Sequence, residues 1–243
     1  MVSEASGDNI KAGVCKMWKR SSSVYRRCEV TRVLIMVLVH VDDCTIMGKN
    51  LVLVEWFKVE IAKYVEITDM GALHWILGIE VHCIQEEKRL LHSQKTYIDS
   101  ILWQYGLEDL KPVSMPMDPA SWLSSIQSPL TTEELAAIKH IPYHEAVGSL
   151  MYATLGTCPD ICYAVQTVSK FNNKPRLSHW EAVKWNFQYL ISTENLWLGY
   201  RGLVKELQGY VDADGSMGED CKAVSGLRLQ LFYLYNCIKW FIL

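Results

Sequence analysis

Residues 33–41 form an almost unbroken apolar run, and it ends in two adjacent carboxylates, Asp42 and Asp43. A second, shorter run from Cys44 to Met47 follows and stops at Gly48. This pattern predicts a buried strand, a tight turn carrying both aspartates, and a return strand. An unpartnered buried carboxylate is costly, so charges at the end of a core strand require a partner. Mg²⁺ is one such partner, being hard and oxygen-seeking. An Asp-Asp turn between hairpin strands is the other reading, favoured by turn chemistry alone. Successive side chains on a strand point to opposite faces, so both carboxylates reach one ion only at a turn. A two-metal phosphoryl-transfer site also needs at least one more carboxylate from a neighbouring strand.

The stretch His40-Val41-Asp42-Asp43-Cys44-Thr45-Ile46-Met47-Gly48 resembles the palm hairpin of reverse transcriptases, specifically those of the Ty1/copia retrotransposon class, with His40 where that class usually has tyrosine. The resemblance implies catalytic and metal-binding roles for Asp42 and Asp43, with Asp42 the direct ligand and Asp43 the supporting one. It also implies Mg²⁺ or Mn²⁺ as cofactor in the intact parent, and a further Asp on an earlier palm strand. Within residues 1–30 only Asp8 in a polar lead-in and Glu29 in a charged patch come into question, and neither sits on a convincing strand.

Composition sets wider bounds. A chain of 243 residues, half of them hydrophobic and 21% charged, has enough apolar side chains for one large core or two small ones. The formal net charge of −3 argues mildly against a free-standing nucleic-acid binder, which is usually basic. The eight cysteines include no C-x-x-C pair, and Cys158 and Cys162 have no matching His or Cys pair nearby, which argues against a zinc site. No signal peptide is recognisable, so free thiols and an intracellular location, cytoplasmic or in a virus-like particle, are expected. The apolar run at 33–41 is too short to span a bilayer, and the one at 227–243 is broken by Asn236 and Lys239, so no membrane partner is expected.

Residues 1–22 read as a disordered lead-in, and Val24 to Arg27 as a short strand before the core hairpin. From Leu51 to Tyr64 the apolar spacing is helical through Val54, Phe57, Ile61 and Tyr64, with Asn50 as a cap and Glu55, Lys58 and Glu60 off that face. Leu73 to Val81 reads as one strand, joined through Lys88-Arg89 to Leu90-Leu91-His92. The stretch Thr68-Asp69-Met70-Gly71-Ala72-Leu73-His74, followed by Leu77-Gly78-Ile79-Glu80-Val81, closely resembles the segment that closes the palm and grips the primer in this class. By that resemblance His74 and Trp75 contact nucleic acid; locally they read equally well as a core edge. A helix is predicted from Ser93, its cap, through Tyr97, Ile98, Ile101, Leu102 and Tyr105 to a stop at Gly106. In the class this helix belongs to the thumb, where Lys95 would face a phosphate; a solvent-facing lysine is the plainer reading.

Pro112, Pro116 and Pro119 force an extended segment. A linker with a short helix from about Thr132 leads into three predicted helices, 143–154, 159–171 and 178–191, the last capped by Ser178. These resemble the connection of the class. Asp212 and Asp214 then alternate on a predicted strand and so share a face. This stretch resembles the opening strand of the ribonuclease H domain, in which Asp212 would be the first metal ligand. The sequence departs from the class at Gly215, where it has tryptophan, and at Cys221 to Val224, where it has an arginine-rich stretch. After Ser225-Gly226 about two more strands are expected, and the remaining ribonuclease H carboxylates have no counterpart.

The fold expected is α+β: partial reverse-transcriptase palm hairpins and thumb helices (23–119), a linker and helical connection (120–200) and truncated ribonuclease H-like strands (201–243). The function expected is that of a fragment of a retrotransposon RNA-directed DNA polymerase, inactive alone, whose intact parent uses a primer–template and dNTP. Two alternatives stand beside it: a non-enzymatic relic with at most weak nucleic-acid binding, and an unrelated α/β domain with a fortuitous Asp-Asp turn. The oligomeric state is open, and the apolar tail from Leu229 predicts poor solubility.

Overall fold

The structure, a computed structural model, describes residues 15–19, 22–28, 34–40, 43–48, 51–64, 66–118, 123, 134, 136, 138–201, 208–213, 225–230 and 237–242. Asp42, Asp214, Asn50 and Gly215 lie outside them, with the expectations attached to each. Helix and sheet are segregated along the chain, as an α+β fold requires.

The predicted hairpin is present. Strand β3 (Leu34–His40) and strand β4 (Asp43–Gly48) pair antiparallel, with His40 opposite Asp43 and Val37 opposite Ile46. Helix α1 (Leu51–Ile61) covers one face of this hairpin. Ile35, Val37, Cys44 and Ile46 pack there against Val54, Phe57 and Ile61, the helical positions that the spacing singled out. Burying each such side chain contributes about 1.5–3 kcal/mol. Tyr64 lies beyond the helix and is exposed. Lys58, expected off the apolar face, is 5% exposed. Its stem is buried, while its ammonium reaches Asp69 Oδ2 at 2.6 Å and Glu55 Oε1 at 3.3 Å.

Two more strands extend the sheet beyond β3. Strand β2 (Ser22–Cys28) contains the predicted Val24–Arg27 segment and pairs with β3. Strand β1 (Cys15–Lys19) pairs with β2, although residues 1–22 read as lead-in. Backbone pairing tolerates almost any sequence, so the free edge of β2 recruits a segment that has no strand signature of its own. On the other side, the order runs β4, then β12 (Cys237–Ile242), then β5 (Thr68–Ala72).

The segment Leu73–Val81 is not one strand. It folds back at Leu77-Gly78 into β6 (Trp75–Ile76) and β7 (Ile79–Ile84). Leu77 and Gly78 have φ of 50° and 70°, the paired left-handed geometry of a two-residue hairpin turn. Leucine rarely adopts that conformation, which is why the turn carries no sequence signal at its first position. The sheet continues through β8 (Arg89–Ser93) to β9 (Leu198–Arg201), all antiparallel.

The helices form a second body. They are α2 (Lys95–Tyr105), α3 (Tyr143–Gly156), a short 3-10 turn (Pro159–Ile161), α4 (Cys162–Ser169) and α5 (Leu177–Thr193). Ile98, Ile101, Val147, Leu150, Ile161, Val165, Val183, Phe187 and Leu190 share one core. The predicted caps shift. Gln94, not Ser93, precedes α2, and the Ser93 hydroxyl instead accepts the Lys95 amide at 3.2 Å. Arg176, not Ser178, precedes α5, and His179 Nδ1 accepts its amide at 3.2 Å. The proline segment crosses α5, held where the Ser192 hydroxyl donates to Val113 O at 2.7 Å and Trp185 Nε1 donates to Met115 O at 2.8 Å. Glu134, Ala136 and Ile138 are helical, as the linker reading expected. Strand β10 (Gln208–Ala213) pairs with β11 (Ser225–Gln230) in a separate two-stranded sheet.

Candidate functional site

Asp43 opens β4, half-buried, directly opposite the exposed His40 on β3 and in register with Ile242 on β12. Strand alternation puts Asp43, Thr45 and Met47 on the face away from α1, while Cys44 and Ile46 face the helix. The hairpin arises because the apolar run pairs with its own continuation and the carboxylate takes the turn end, where water reaches it.

Thr45 shares Asp43's face and is 4% exposed, and its hydroxyl has no hydrogen-bond partner among the described residues. A buried orphan hydroxyl is costly. Nothing in the sequence flags it, because threonine is an ordinary strand residue. On the helix side, burial pushes the Cys44 thiol up to about 12, so it stays protonated and inert at neutral pH.

Mg²⁺ or Mn²⁺ chemistry asks for several oxygen ligands converging on one point. Among the described residues, no group of three His, Cys, Asp or Glu side chains comes together to hold a metal ion. Asp43 is the single carboxylate described at the hairpin turn, and its register neighbours are an imidazole and an isoleucine. The described residues therefore do not complete a metal site. Asp212 sits on β10 opposite Gly226, in a different sheet from Asp43.

The three residues expected to meet nucleic acid lie elsewhere. His74 and Trp75 are exposed, at the junction leading into β6. The His74 carbonyl accepts the Val81 amide at 2.7 Å, and Trp75 pairs with Glu80 across the β6–β7 hairpin. A small cleft lined by Ala72, Leu73, His74, Val81, Cys83 and Gln85 opens beside them. Lys95 begins α2, and its ammonium meets Glu194 Oε1 at 2.7 Å, just past the end of α5. Each charge has the wrong sign for its own helix terminus, so the pair offsets two unfavourable dipole interactions at once. Its hydrogen bond to Glu194 raises the Lys95 pKa. Glu194 gave no sequence signal as its partner, being far along the chain.

The reverse transcriptase (RNA-dependent DNA polymerase) family matches residues 13–119, the segment that holds the hairpin, α1, the β6–β8 strands and α2. The chain is 39% identical over 180 residues to the retrovirus-related Pol polyprotein from transposon TNT 1-94 of Nicotiana tabacum, covering 74% of this chain and 14% of that protein. It is 32% identical over 188 residues to the Pol polyprotein from transposon RE1 of Arabidopsis thaliana, covering 77% and 12%. It is likewise 32% identical over 213 residues to that from transposon RE2 of the same plant, covering 86% and 14%. The chain thus spans a small part of each of these curated relatives. No solved structure matches it. These matches lead to one conclusion: the chain is a fragment of a Ty1/copia-type retrotransposon Pol polyprotein, with its reverse transcriptase segment at residues 13–119.

Proposed function

We infer that residues 23–119 are the later palm, primer-gripping and thumb portion of this polymerase, with α2 in the thumb, that residues 120–200, which hold α3 to α5, are its linker and connection, and that residues 201–243 are the start of its ribonuclease H. The observation that carries this reading is the β3–β4 hairpin, backed by α1, with Asp43 at its turn end. In the intact parent, the chemistry is in-line attack of a primer 3′-hydroxyl on a dNTP. Asp42 and Asp43 are the residues assigned to its divalent ion, Mg²⁺ or Mn²⁺, and His74 and Trp75 those assigned to the primer. Asp212 is the residue assigned to a ribonuclease H metal. Lys95 meets a phosphate only by giving up Glu194.

This chain alone is read as inactive, because removing one member of a catalytic unit costs nearly the whole rate. Primer extension on a defined template, with purified chain and Mn²⁺, tests that. The expected result is no extension. Extension that Asp42→Asn abolishes would overturn it. The alternative reading, a non-enzymatic relic, is favoured by the Lys95–Glu194 pair, which leaves less free positive charge at α2. A filter-binding titration across salt concentration separates the two: a slope near zero means no phosphate contacts and supports the relic.

A further inference from the structure

The β6–β9 sheet has two unlike faces. Directly opposite residues on antiparallel strands share a face, and each strand alternates between faces. The pairing of Trp75 with Glu80, His82 with Leu91, Leu91 with Gly199 and Arg89 with Arg201 therefore sets these residues on one face. Val81, His92 and Tyr200 stand on the other. There Val81 is buried, and burial lowers the His92 pKa. On the first face Trp75, His82, Arg89, Gly199 and Arg201 are all exposed.

Trp197, just ahead of β9, joins that face. Its ring meets His82 edge-on, with centroids 5.0 Å apart. His82 Nε2 is held in turn by Glu80 Oε1 at 3.0 Å. An edge-on contact covers at most one side of the indole, and Trp197 remains 40% exposed.

The Arg89–Arg201 pair is the feature that needs a reason. Like charges directly opposite each other on neighbouring strands are destabilising. Glu87 Oε2 meets Arg89 Nη1 at 3.0 Å, but both side chains are about half exposed, and such a pair contributes little. Arg201 has no ion-pair partner among the described residues. An anion between the two guanidiniums turns one repulsion into two attractions, and each planar fork matches phosphate oxygens.

A phosphate alone leaves the indole unexplained. Gly199 lies one step up β9 from Arg201 on the same face, about 6.6 Å away, and raises no side chain between the arginines and the level of His82. A phosphate site and an aromatic ring with an open side, set one step apart, suit a nucleotide: the phosphate on the arginines and the base on the indole. An acidic peptide would satisfy the arginines and leave the ring unused.

We propose that this face binds single-stranded nucleic acid, with Arg89 and Arg201 sharing one backbone phosphate and Trp197, backed by His82, stacking an adjoining base. The surface continues across β7 to Trp75, the residue assigned above to the primer. Trp197 and Arg201 lie beyond residues 13–119, the segment matched by the reverse transcriptase family. The proposal rests on the polymerase reading only for the source of the strand, one that the enzyme copies or extends.

Fluorescence anisotropy with the full chain and a labelled oligothymidylate tests it. The parent is expected to bind, with affinity falling as salt rises. Arg201→Gln is expected to weaken binding and to flatten the log–log salt slope by about 0.7, the value for one single-strand phosphate. Its melting temperature is expected to hold or rise, because a like-charge pair is relieved, so the loss of binding is not unfolding. Trp197→Ala is expected to weaken binding at least about fivefold with the slope unchanged. On an abasic strand of equal length, Trp197→Ala is expected to make no difference. Lys170→Gln, an exposed lysine just past α4, is the control and is expected to leave affinity and slope alone. Binding by the parent that neither Arg201→Gln nor Trp197→Ala alters overturns this surface and leaves the primer contacts of the polymerase reading standing. Polyglutamate competing as well as unlabelled strand would mean a peptide surface, and inorganic phosphate doing so at matched ionic strength a simple anion site. Either result overturns the nucleic-acid assignment, as does a parent that binds no strand at low salt.

Discussion

The hydroxyl of Tyr152, on α3, donates a hydrogen bond to the carbonyl of Leu77, at the tip of the β6–β7 turn. The bond links the helical body to a hairpin otherwise attached through its strands. Tyr152 is itself braced by Tyr97 from α2, the two rings edge-on with centroids 4.8 Å apart. The brace falls on the one non-glycine residue of that turn, whose backbone is in a disfavoured region.

Two substitutions separate the brace from the strain. Tyr152→Phe removes the hydrogen bond and keeps the ring, and is expected to cost about 1 kcal/mol and to speed proteolytic nicking at the turn. Leu77→Gly relieves the left-handed strain at some entropic cost and is expected to stabilise by about 0.5–1 kcal/mol net. Urea titration with limited proteolysis reads both. A Leu77→Gly chain less stable than the parent would show that the exposed leucine side chain contributes more than the backbone strain removes.

The Lys95–Glu194 pair is a second link between elements remote in sequence. Both side chains are partly exposed, so the pair is expected to contribute no more than about 1 kcal/mol in a double-mutant cycle. Its pH dependence has a definite sign. The lysine pKa is raised above 10.5 by its hydrogen bond to Glu194, so its contribution is fully present below about pH 10.5 and declines as pH rises further. A coupling energy that is unchanged at pH 11.5 contradicts this. If Lys95 also meets phosphate, Glu194→Gln is expected to tighten nucleic-acid binding by freeing the ammonium, and a salt titration reads the change in slope.

What could be read from the sequence follows from how local each signal is. The β3–β4 hairpin was legible because one apolar run and one carboxylate turn encode it within sixteen residues. Helices α1 and α5 were legible from the spacing of Val54, Phe57 and Ile61 and of Val183, Phe187 and Leu190. The β6–β7 turn was not, because Leu77 has no turn propensity and is held by a tyrosine on another element. The position of β12 was not, because Cys237 pairs with Gly48, and pairing over that separation leaves no periodic trace in either segment. Lys58 misled for a related reason: a lysine reads as solvent-facing, yet its stem is apolar and its charge is met by Asp69 on the next strand. At the candidate site the sequence located Asp43, but neither the orphan hydroxyl of Thr45 beside it nor the partner of Lys95 can be inferred from local pattern.

Gly156, the last residue of α3, leaves room for Gln94, which precedes α2. A Cβ added at Gly156 would overlap the Gln94 carboxamide, and Gln94 is 1% exposed, so it has little room to move aside. Thr157 Oγ1 also donates to Gln94 Oε1 at 3.0 Å and fixes the amide in place. Gly156→Ala is therefore expected to destabilise the chain by about 1–3 kcal/mol, the usual cost of overpacking. Adding Gln94→Ala should recover part of that loss if the clash is its cause. Thermal melts of the single and double variants decide it: a double variant that loses the full sum of the two single effects removes the clash as the explanation.

Cys44 offers a test of the hairpin core that no other described thiol duplicates. It is fully buried on the α1 side of β4, whereas Cys162 and Cys83 are exposed. With its pKa lifted by burial from 9.0 to about 12, it stays a thiol in the folded chain while the unfolded chain releases its proton near pH 9. The unfolded state then binds fewer protons, so the stability linked to Cys44 is complete below about pH 9 and is lost as pH climbs towards 12. The buried tyrosines act in the same direction, and Tyr189 is also pushed up to about 12, so the informative quantity is the difference between parent and Cys44→Ala. The variant is expected to be less stable at neutral pH through lost packing, and to lose less stability between pH 9 and 11 than the parent. Alkylation at pH 8 with peptide mapping gives the matching kinetic result: Cys162 labels quickly, and Cys44 only at the rate at which β3, β4 and α1 come apart. Labelling of Cys44 as fast as Cys162 would mean that the apolar face behind Asp43 is open to water, and the packing of α1 on the hairpin would have to be abandoned.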